Sequence, residues 1–440
     1  MCSLSLTIHR GTHQIGGVAV EVQAGNEHII IDLGANLPGT DAAISDEELI
    51  DRMFNGRSCD AVMFTHLHGD HVGLYRHIPD GTRIFIGPTA KKIIKIVAEY
   101  TDKDSLPLIE TMTRYRRGRP LGGFQNLRIT PLSIDHSVPD AYMLYIEAMG
   151  KRILFTVDFR AHGIANERGQ LWRTLEKYVP RRADLLVTEG TTLSRGEEMR
   201  STVVNTERDL GQRAREIFSK HKYNFVLVSS TNLDSVMEFY HATPRGKLFL
   251  CDTYQARVML TAMETMGKVY SQYRAEKRIS LIGNLRHEQA ESLMEHGKAL
   301  GLCFLRANIE DAEDLVEMRE RGFVMLVRPN RYGGESPFEL ALEAFRDEAF
   351  IIYSLWTGYL RGGIREDAGI ARFMDGIPHE VLHTSGHASP EDIARLIQAV
   401  DPKMIVPMHM ERAEEFSSLK PFVSLAGRVH VLMDGETLAI

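Results

Sequence analysis

The sequence predicts an α/β protein in two parts, with its chemistry gathered at the ends of β-strands. Three observations carry that prediction. Short apolar, β-branched runs stop repeatedly at a polar residue: His28–Ile31 before Asp32, Ala61–Phe64 before the His66 run, Leu127–Ile134 before His136, Arg152–Val157 before Asp158, Asp184–Thr188 before Glu189 and Met404–Met408 before His409. Between Gly190 and about Ile351 the texture changes to helical patterns, such as Asn205–Ser219 and Asp311–Arg321, alternating with apolar runs at Phe225–Val228, Lys247–Leu250 and Phe323–Val327. The chain is also 440 residues long, beyond the size at which one compact core is usual.

Polar residues that recur at strand ends mark an enzyme whose loops assemble a site along one sheet edge, because isolated buried polar residues should fall at random places within strands. The alternating middle reads as its own βαβ-like domain. After it, the strand-like Phe350–Tyr353, a helix over Pro390–Val400 and the strand Met404–Met408 return to the first style. The middle is therefore an insertion: residues 1–193 and 351–440 form one domain and 194–350 the other.

Composition narrows the class. Hydrophobic residues make up 43% and charged ones 25%, the proportions of a soluble globular protein. There is no basic-then-apolar leader and no run of about 18 apolar residues, so a cytoplasmic protein without a membrane partner is expected. Cys2, Cys59, Cys251 and Cys303 are widely spaced with no CxxC pair, which argues against a disulfide framework and against a thiolate zinc site. Any metal must then use histidine and carboxylate. Lysine and arginine total 52 against 59 acidic residues, a net charge of −7 that gives no global reason to expect a nucleic-acid partner. The basic stretches Arg114–Arg119 and Arg181-Arg182 read as solvated loops or helix ends.

The run His66-Leu67-His68-Gly69-Asp70-His71 follows a strand directly, so its ligating groups can point into one pocket. One histidine alone would be an ordinary core or loop residue; this density, with His136, Asp158 and His409 at the ends of other strands, is a metal-site signal. Two metals are the economical reading, with zinc taking imidazole nitrogen and carboxylate oxygen and Asp158 as the candidate bridge.

These residues resemble the metallo-β-lactamase superfamily and, within it, the β-CASP nucleases, most closely the ribonuclease J-like members in their short form without the C-terminal domain. The resemblance runs through Gly11-Thr12-His13-Gln14-Ile15-Gly16-Gly17, Ile31-Asp32-Leu33-Gly34, the histidine run, Val157-Asp158-Phe159-Arg160 and Thr188-Glu189-Gly190-Thr191-Thr192. It continues through Ser229-Ser230-Thr231-Asn232, His383-Thr384-Ser385-Gly386-His387-Ala388-Ser389 and Val406-Pro407-Met408-His409. It departs where Met410-Glu411 follows His409 in place of Gly-Glu. The resemblance implies an αββα metallo-β-lactamase sandwich with an inserted β-CASP α/β domain over 194–350. It implies two divalent ions, one held by His66, His68, His136 and Asp158 and the other by Asp70, His71, Asp158 and His409. His68 stands where iron-dependent relatives carry glutamate, which favours zinc, with manganese the alternative. Asp70, Asp32, Glu189 and His387 become catalytic candidates, His387 as general acid supported by Glu189. His383, Ser385 and Gly386 look like contacts to a substrate phosphate.

The implied activity is a ribonuclease, 5′-to-3′ exonucleolytic with endonuclease activity as a companion, acting on RNA or, as a close variant, single-stranded DNA, and working as a homodimer. A lactone or thioester hydrolase built on the same metal core is the competing class, disfavoured by the insertion and by the His383–Ser389 string. Ser229-Ser230-Thr231-Asn232 precedes a helix from Leu233, where hydroxyls and free N–H groups could cradle a phosphate or a side chain could simply cap the helix. Trp356 and Tyr359 read as core before base-stacking residues, and Gly16-Gly17 as a turn before a phosphate loop.

Overall fold

The structure is a computed structural model that describes residues 4–40, 42–194, 203–273, 278–283, 287–330, 336–363, 365–418 and 422–440. The chain divides into two compact units: Met1–Gly196 with Gly386–Ile440, and Glu197–Ser385.

The first unit is built on two sheets. One contains β1 (Leu4–Arg10), β2 (Ala19–Ala24), β3 (Glu27–Leu33), β4 (Ala61–Met63), β5 (Arg83–Ile86) and β6 (Thr113–Arg114) side by side in chain order. The other contains β7 (Leu127–Ile134), β8 (Ala141–Ala148), β9 (Lys151–Val157) and β10 (Leu185–Glu189). The sheets face each other across a core that includes Leu6, Ile8, Val20, Ile29, Ile31, Leu144, Ile146, Phe155 and Val187. A second cluster joins Leu154 and Leu186, on the opposite face of the second sheet, to Leu171 and Leu175 of the helix Gln170–Tyr178 and to Ile393, Leu396 and Ile397 of the helix Pro390–Val400. Strands covered on both faces need apolar residues at every position, which is why β9 and β10 appear in the sequence as continuous runs.

The second unit holds β12 (Tyr223–Val228), β13 (Leu248–Cys251), β14 (Arg278–Ile282), β15 (Cys303–Ala307), β16 (Phe323–Val327), β17 (Ala349–Ser354) and β18 (His379–Val381), after a two-residue β11 (Val203–Val204). They lie in the order β15-β14-β13-β16-β12-β17-β18, every pair parallel. β11 pairs in parallel with β19 (His383–Thr384). From β12 the chain passes across β16 to β13, and from β16 it crosses β12 to β17. That reversal between β12 and β16 is the kind of switch point at which open parallel sheets bind ligands, outside the strands' carboxyl ends. Ser229 follows one of these strands and Arg328 the other.

The expected boundaries move. The sequence returns to the first domain at 351, but the second unit runs on to Ser385. The cause is β17, which pairs with β12 from Tyr223↔Ala349 to Val228↔Ser354 and carries β18 beside it. An apolar run destined for a parallel sheet and one destined for a sandwich look alike in sequence. The upstream limit, expected at 194, adjoins residues 195–202, which lie outside the described residues. The first unit resumes at Gly386 and supplies β20 (Met404–Met408) next to β10 and β21 (Glu436–Ala439) next to β1. Among the described residues no helix is long and apolar enough to cross a membrane.

One ionic cluster on the first sheet makes its stability depend on pH. Glu21 on β2 lies 2.8 Å from His9 Nε2 and 3.0 Å from His28 Nε2. Burial works against the Glu21 carboxylate, yet hydrogen bonds from His28 and His9 outweigh it and hold its pKa at about 2. His28 moves upward, chiefly through its hydrogen bond to Glu21 and against burial. A lowered carboxylate stabilises above its unfolded pKa, and a raised imidazole stabilises below its own, so the pair contributes fully between roughly pH 4.5 and 6.5. Glu21→Gln should therefore lower the melting temperature most near pH 5.5 and progressively less as pH rises past the folded pKa of His28. Calorimetry of both proteins from pH 5 to 9 checks this, and a pH-independent difference would refute it.

Candidate metal centre

The histidine run leaves β4 through Phe64 and Thr65 and enters the short helix Gly69–Val72. Its backbone is locked to neighbouring loops: Val18 N–H donates to the Asp70 carbonyl at 2.9 Å and Ala35 N–H to the Gly69 carbonyl at 3.0 Å. Gly34 allows this approach, because a Cβ there would overlap the Asp70 carbonyl. Gly16, at φ +86, passes so close that a Cβ would come within 2.8 Å of Asp70 Oδ2. Arg10, fully buried, ties the same loops together by donating to the carbonyls of Gly17, Gly34 and Ile44 and pairing with Asp46 Oδ1 at 2.9 Å. Gly16 and Gly17, both at positive φ, form a tightly packed bend.

Three site-bearing strands end in unusual backbone. Asp32, Val157 and His409 have φ of 60, 54 and 54. For a β-branched valine that conformation is strained, at a cost of about 1–3 kcal/mol. The register slips beside it, Phe155 facing Val187 and Val157 facing Thr188. The irregularity directs the next residue, Asp158, into the site.

There, His68 Nδ1 lies 3.1 Å from His66 Nε2 and 3.1 Å from His136 Nε2. Nitrogens held tetrahedrally at about 2.05 Å from zinc would be about 3.3 Å apart, so this spacing fits a shared cation. All three imidazoles are pushed toward neutrality. Burial and then His71 lower His66 well below its ordinary value, burial and His68 do the same to His136, and burial brings His68 to about 4. Neutral imidazole is the form that binds metal.

A second group joins Asp70, His71 and His409, whose ligand atoms all lie within 4.8 Å of one another. His409 Nε2 is 3.3 Å from Asp70 Oδ2, and His71 Nε2 is 3.3 Å from Asp158 Oδ2. Burial opposes charge on both aspartates. Even so, His71 and His409 hold Asp70 below the usual carboxylate range, and His409, His71 and His387 do so for Asp158. His71 is raised well above its ordinary value, against burial, by Asp158 and Asp70. Among the described residues, His71 Nε2, His136 Nδ1 and Asp158 Oδ1 are buried with no hydrogen-bond partner. His71 Nε2 and Asp158 Oδ1 face the donor cluster, where buried polar atoms of this kind fit a cation.

The outward nitrogens are held as well. Thr65 Oγ1 donates to Asp32 Oδ2 at 2.7 Å and lies 3.1 Å from His66 Nδ1, so it can accept that N–H. His71 Nδ1 lies 2.9 Å from Asp32 Oδ2. Thr191 Oγ1 donates to the His409 carbonyl at 3.1 Å and is 2.7 Å from His409 Nδ1. Each contact places the proton on Nδ1 and leaves Nε2 for a metal. Asp32, expected among the catalytic residues, lies behind His71, in contact with its Nδ1. Neither Thr65 nor Thr191 is given a role by the sequence, where threonine after a strand is unremarkable; the available signals are the position of Thr65 before His66 and that of Thr191 in the Thr188–Thr192 motif.

Glu189 ends β10 fully buried. Its Oε1 accepts from the N–H of Phe159 at 2.7 Å and of Ala388 at 3.4 Å, and Oε2 is 3.0 Å from His387 Nδ1. His387 Nδ1 is also 3.6 Å from Asp158 Oδ2. Gly386 packs where a Cβ would come within 2.9 Å of Ser137 Oγ, next to His136. The other predicted phosphate contacts belong to the second unit: His383 in β19, Ser385 at its limit, and Ser229, Ser230, Thr231 and Asn232 after β12. Asn232 does not cap the helix Leu233–Ala242; its amide donates to Ser235 Oγ at 2.9 Å. Arg328 Nη1 donates to Ser230 Oγ at 3.1 Å.

Residues 15–188, which include His66 through His71, His136 and Asp158, match the family described as Metallo-beta-lactamase superfamily. That segment carries a metallo-β-lactamase superfamily domain. Glu189, His387 and His409 lie beyond the matched residues. A crystal structure of a protein of unknown function from Enterococcus faecalis V583 is similar over 100% of both chains, at 19% identity and a TM-score of 0.73, and shares the fold. The metallo-beta-lactamase fold protein YhfI from Bacillus subtilis is 16% identical over 43% of this chain and 72% of its own, with a TM-score of 0.30. No curated protein sequence matches. The domain and its donor cluster point together to a metal-dependent hydrolase.

If Thr191 fixes the tautomer of His409, Thr191→Val should weaken binding of a divalent ion about 10–100-fold while Thr191→Ser preserves it. Competition against a chromophoric chelator measures both, and wild-type affinity in Thr191→Val would remove Thr191 from the site.

Proposed function

We propose that the protein is a ribonuclease that hydrolyses RNA phosphodiester bonds, principally 5′-to-3′ from a 5′-monophosphate end, with endonuclease activity as a companion and single-stranded DNA as a close variant substrate. The observation that carries this reading is the pair Glu189–His387 beside Asp158. A phosphodiester resists hydrolysis until its departing ribose oxygen receives a proton. An imidazole with an ordinary pKa near 6.5 suits that task when a carboxylate supports its charged form. Glu189 is anchored by the Phe159 N–H and so holds His387 at a fixed place next to a metal-ligand carboxylate.

Divalent ions at these donors, when bound, supply a lowered pKa for water and charge neutralisation at the phosphoryl oxygens. His66, His68, His136 and Asp158 would hold one, and Asp70, His71, Asp158 and His409 the other. The nitrogen-rich first set favours zinc, with manganese the alternative. The second unit, read as a β-CASP domain, and the His383–Ser389 string support a polymeric phosphate substrate over a lactone or thioester. A homodimer belongs to the same reading, and sedimentation of the purified chain tests it.

His387→Ala should keep its metal and lose RNA cleavage about 10²-fold or more. Wild-type turnover in that variant would remove His387 from the mechanism. Oligonucleotides with a 5′-phosphate and a 5′-hydroxyl should be degraded at unequal rates. Turnover of lactones or thioesters with RNA left intact would replace this reading with a small-molecule hydrolase.

A further inference from the structure

Within the second unit, a buried carboxylate connects the segments that the proposed function treats as phosphate contacts. Glu207 opens the helix Glu207–Lys220, capped by Thr206, and is 1% exposed. Its Oε1 accepts a hydrogen bond from Thr384 Oγ1 at 2.7 Å, and its Oε2 accepts one from Ser235 Oγ at 2.8 Å. Ser235 Oγ in turn accepts from the amide of Asn232 at 2.9 Å. Thr384 lies between His383 and Ser385, and Asn232 closes the turn that begins at Ser229. Thr384, Ser235 and Asn232 are themselves buried.

We propose that Glu207 is a positioning residue: a strut that fixes the His383–Ser385 string and the Ser229–Asn232 turn in one mutual arrangement, and through it sets productive binding of the substrate phosphate. This rests on the proposed function. The chemistry favours such a role. Each oxygen of a buried carboxylate takes a hydroxyl donor from a different segment, and hydrogen bonds to a charged acceptor are about twice as strong as neutral ones. The short pairing of β11 with β19, only two residues long, is too small to fix the string alone. A helix backbone holds Glu207 itself, so the strut is rigid at its base. A threonine hydroxyl can reach Glu207 while its neighbours, alternating along a strand, present their side chains to the opposite face.

The test compares wild type with Glu207→Ala, Glu207→Gln, Thr384→Val, Thr384→Ser and the double variant Glu207→Ala/Thr384→Val on a 5′-phosphorylated RNA oligonucleotide. Glu207→Ala and Thr384→Val should each raise KM about tenfold, the scale of one hydrogen bond to a charged group, with kcat within about twofold and metal content unchanged. The double variant should be no worse than the poorer single one, and Thr384→Ser should restore wild-type KM. An unchanged KM in Thr384→Val, or a loss in kcat alone, overturns the strut. If Glu207→Ala fails to fold, Thr384→Val and Glu207→Gln carry the comparison. Wild-type protein inert toward RNA overturns the proposed function instead. The strut is then read by amide hydrogen exchange: faster exchange at 232–235 in Thr384→Val supports it, and unchanged exchange overturns it.

Discussion

The constraint on which the first unit depends is the burial of imidazoles and carboxylates within a few ångströms of one another. Such a set is unfavourable unless every group has a defined partner or a cation balances it. The protein meets the constraint from outside the site. Thr65, Asp32 and Thr191 each fix one imidazole at Nδ1, the Asp70 carbonyl is taken by Val18, and Glu189 is pinned by Phe159. The inward nitrogens and oxygens are what remain, and their spacing is that of metal ligands. The strained φ of Val157 belongs to the same arrangement: the packed sheets bear that cost, and Asp158 gains its direction.

Much of this was legible in the sequence. The donors could be read because each group of them follows an apolar run, and the fold places the ends of those runs together. His66, His68, Asp70 and His71 needed only their density, while His136, Asp158 and His409 needed the strands before them. Roles were harder to read than positions. Asp32 was identified as a site residue, but nothing in Ile31-Asp32-Leu33 separates a group that acts on substrate from one that orients His71. Thr65 and Thr191 were missed because threonine is common at strand ends, and the contact that matters to each lies on another residue's ring.

The limit of the second unit depends on a property that the sequence does not display. The run Phe350–Tyr353 is apolar because β17 is buried in a parallel sheet, and a strand of the sandwich would have the same composition. Only the pairing partner, β12, distinguishes the two, and pairing is a long-range property. The turn at Ser229 shows the reverse case. A cap and a phosphate cradle compete for the same residues, and it took the Asn232 amide, pointed at Ser235, to show that Asn232 does not cap the helix.

The interrupted first unit also has a consequence for how the molecule is made. Both of its sheets take a strand from the far side of the second unit, β20 against β10 and β21 against β1. While the ribosome is still producing residues 197–385, β10 is an open edge with unpaired N–H and C=O groups, and such edges recruit other strands. His409 arrives with β20, so the strand that closes the edge also completes the donor cluster. Protection of the nascent chain and completion of that cluster are therefore a single late event in synthesis.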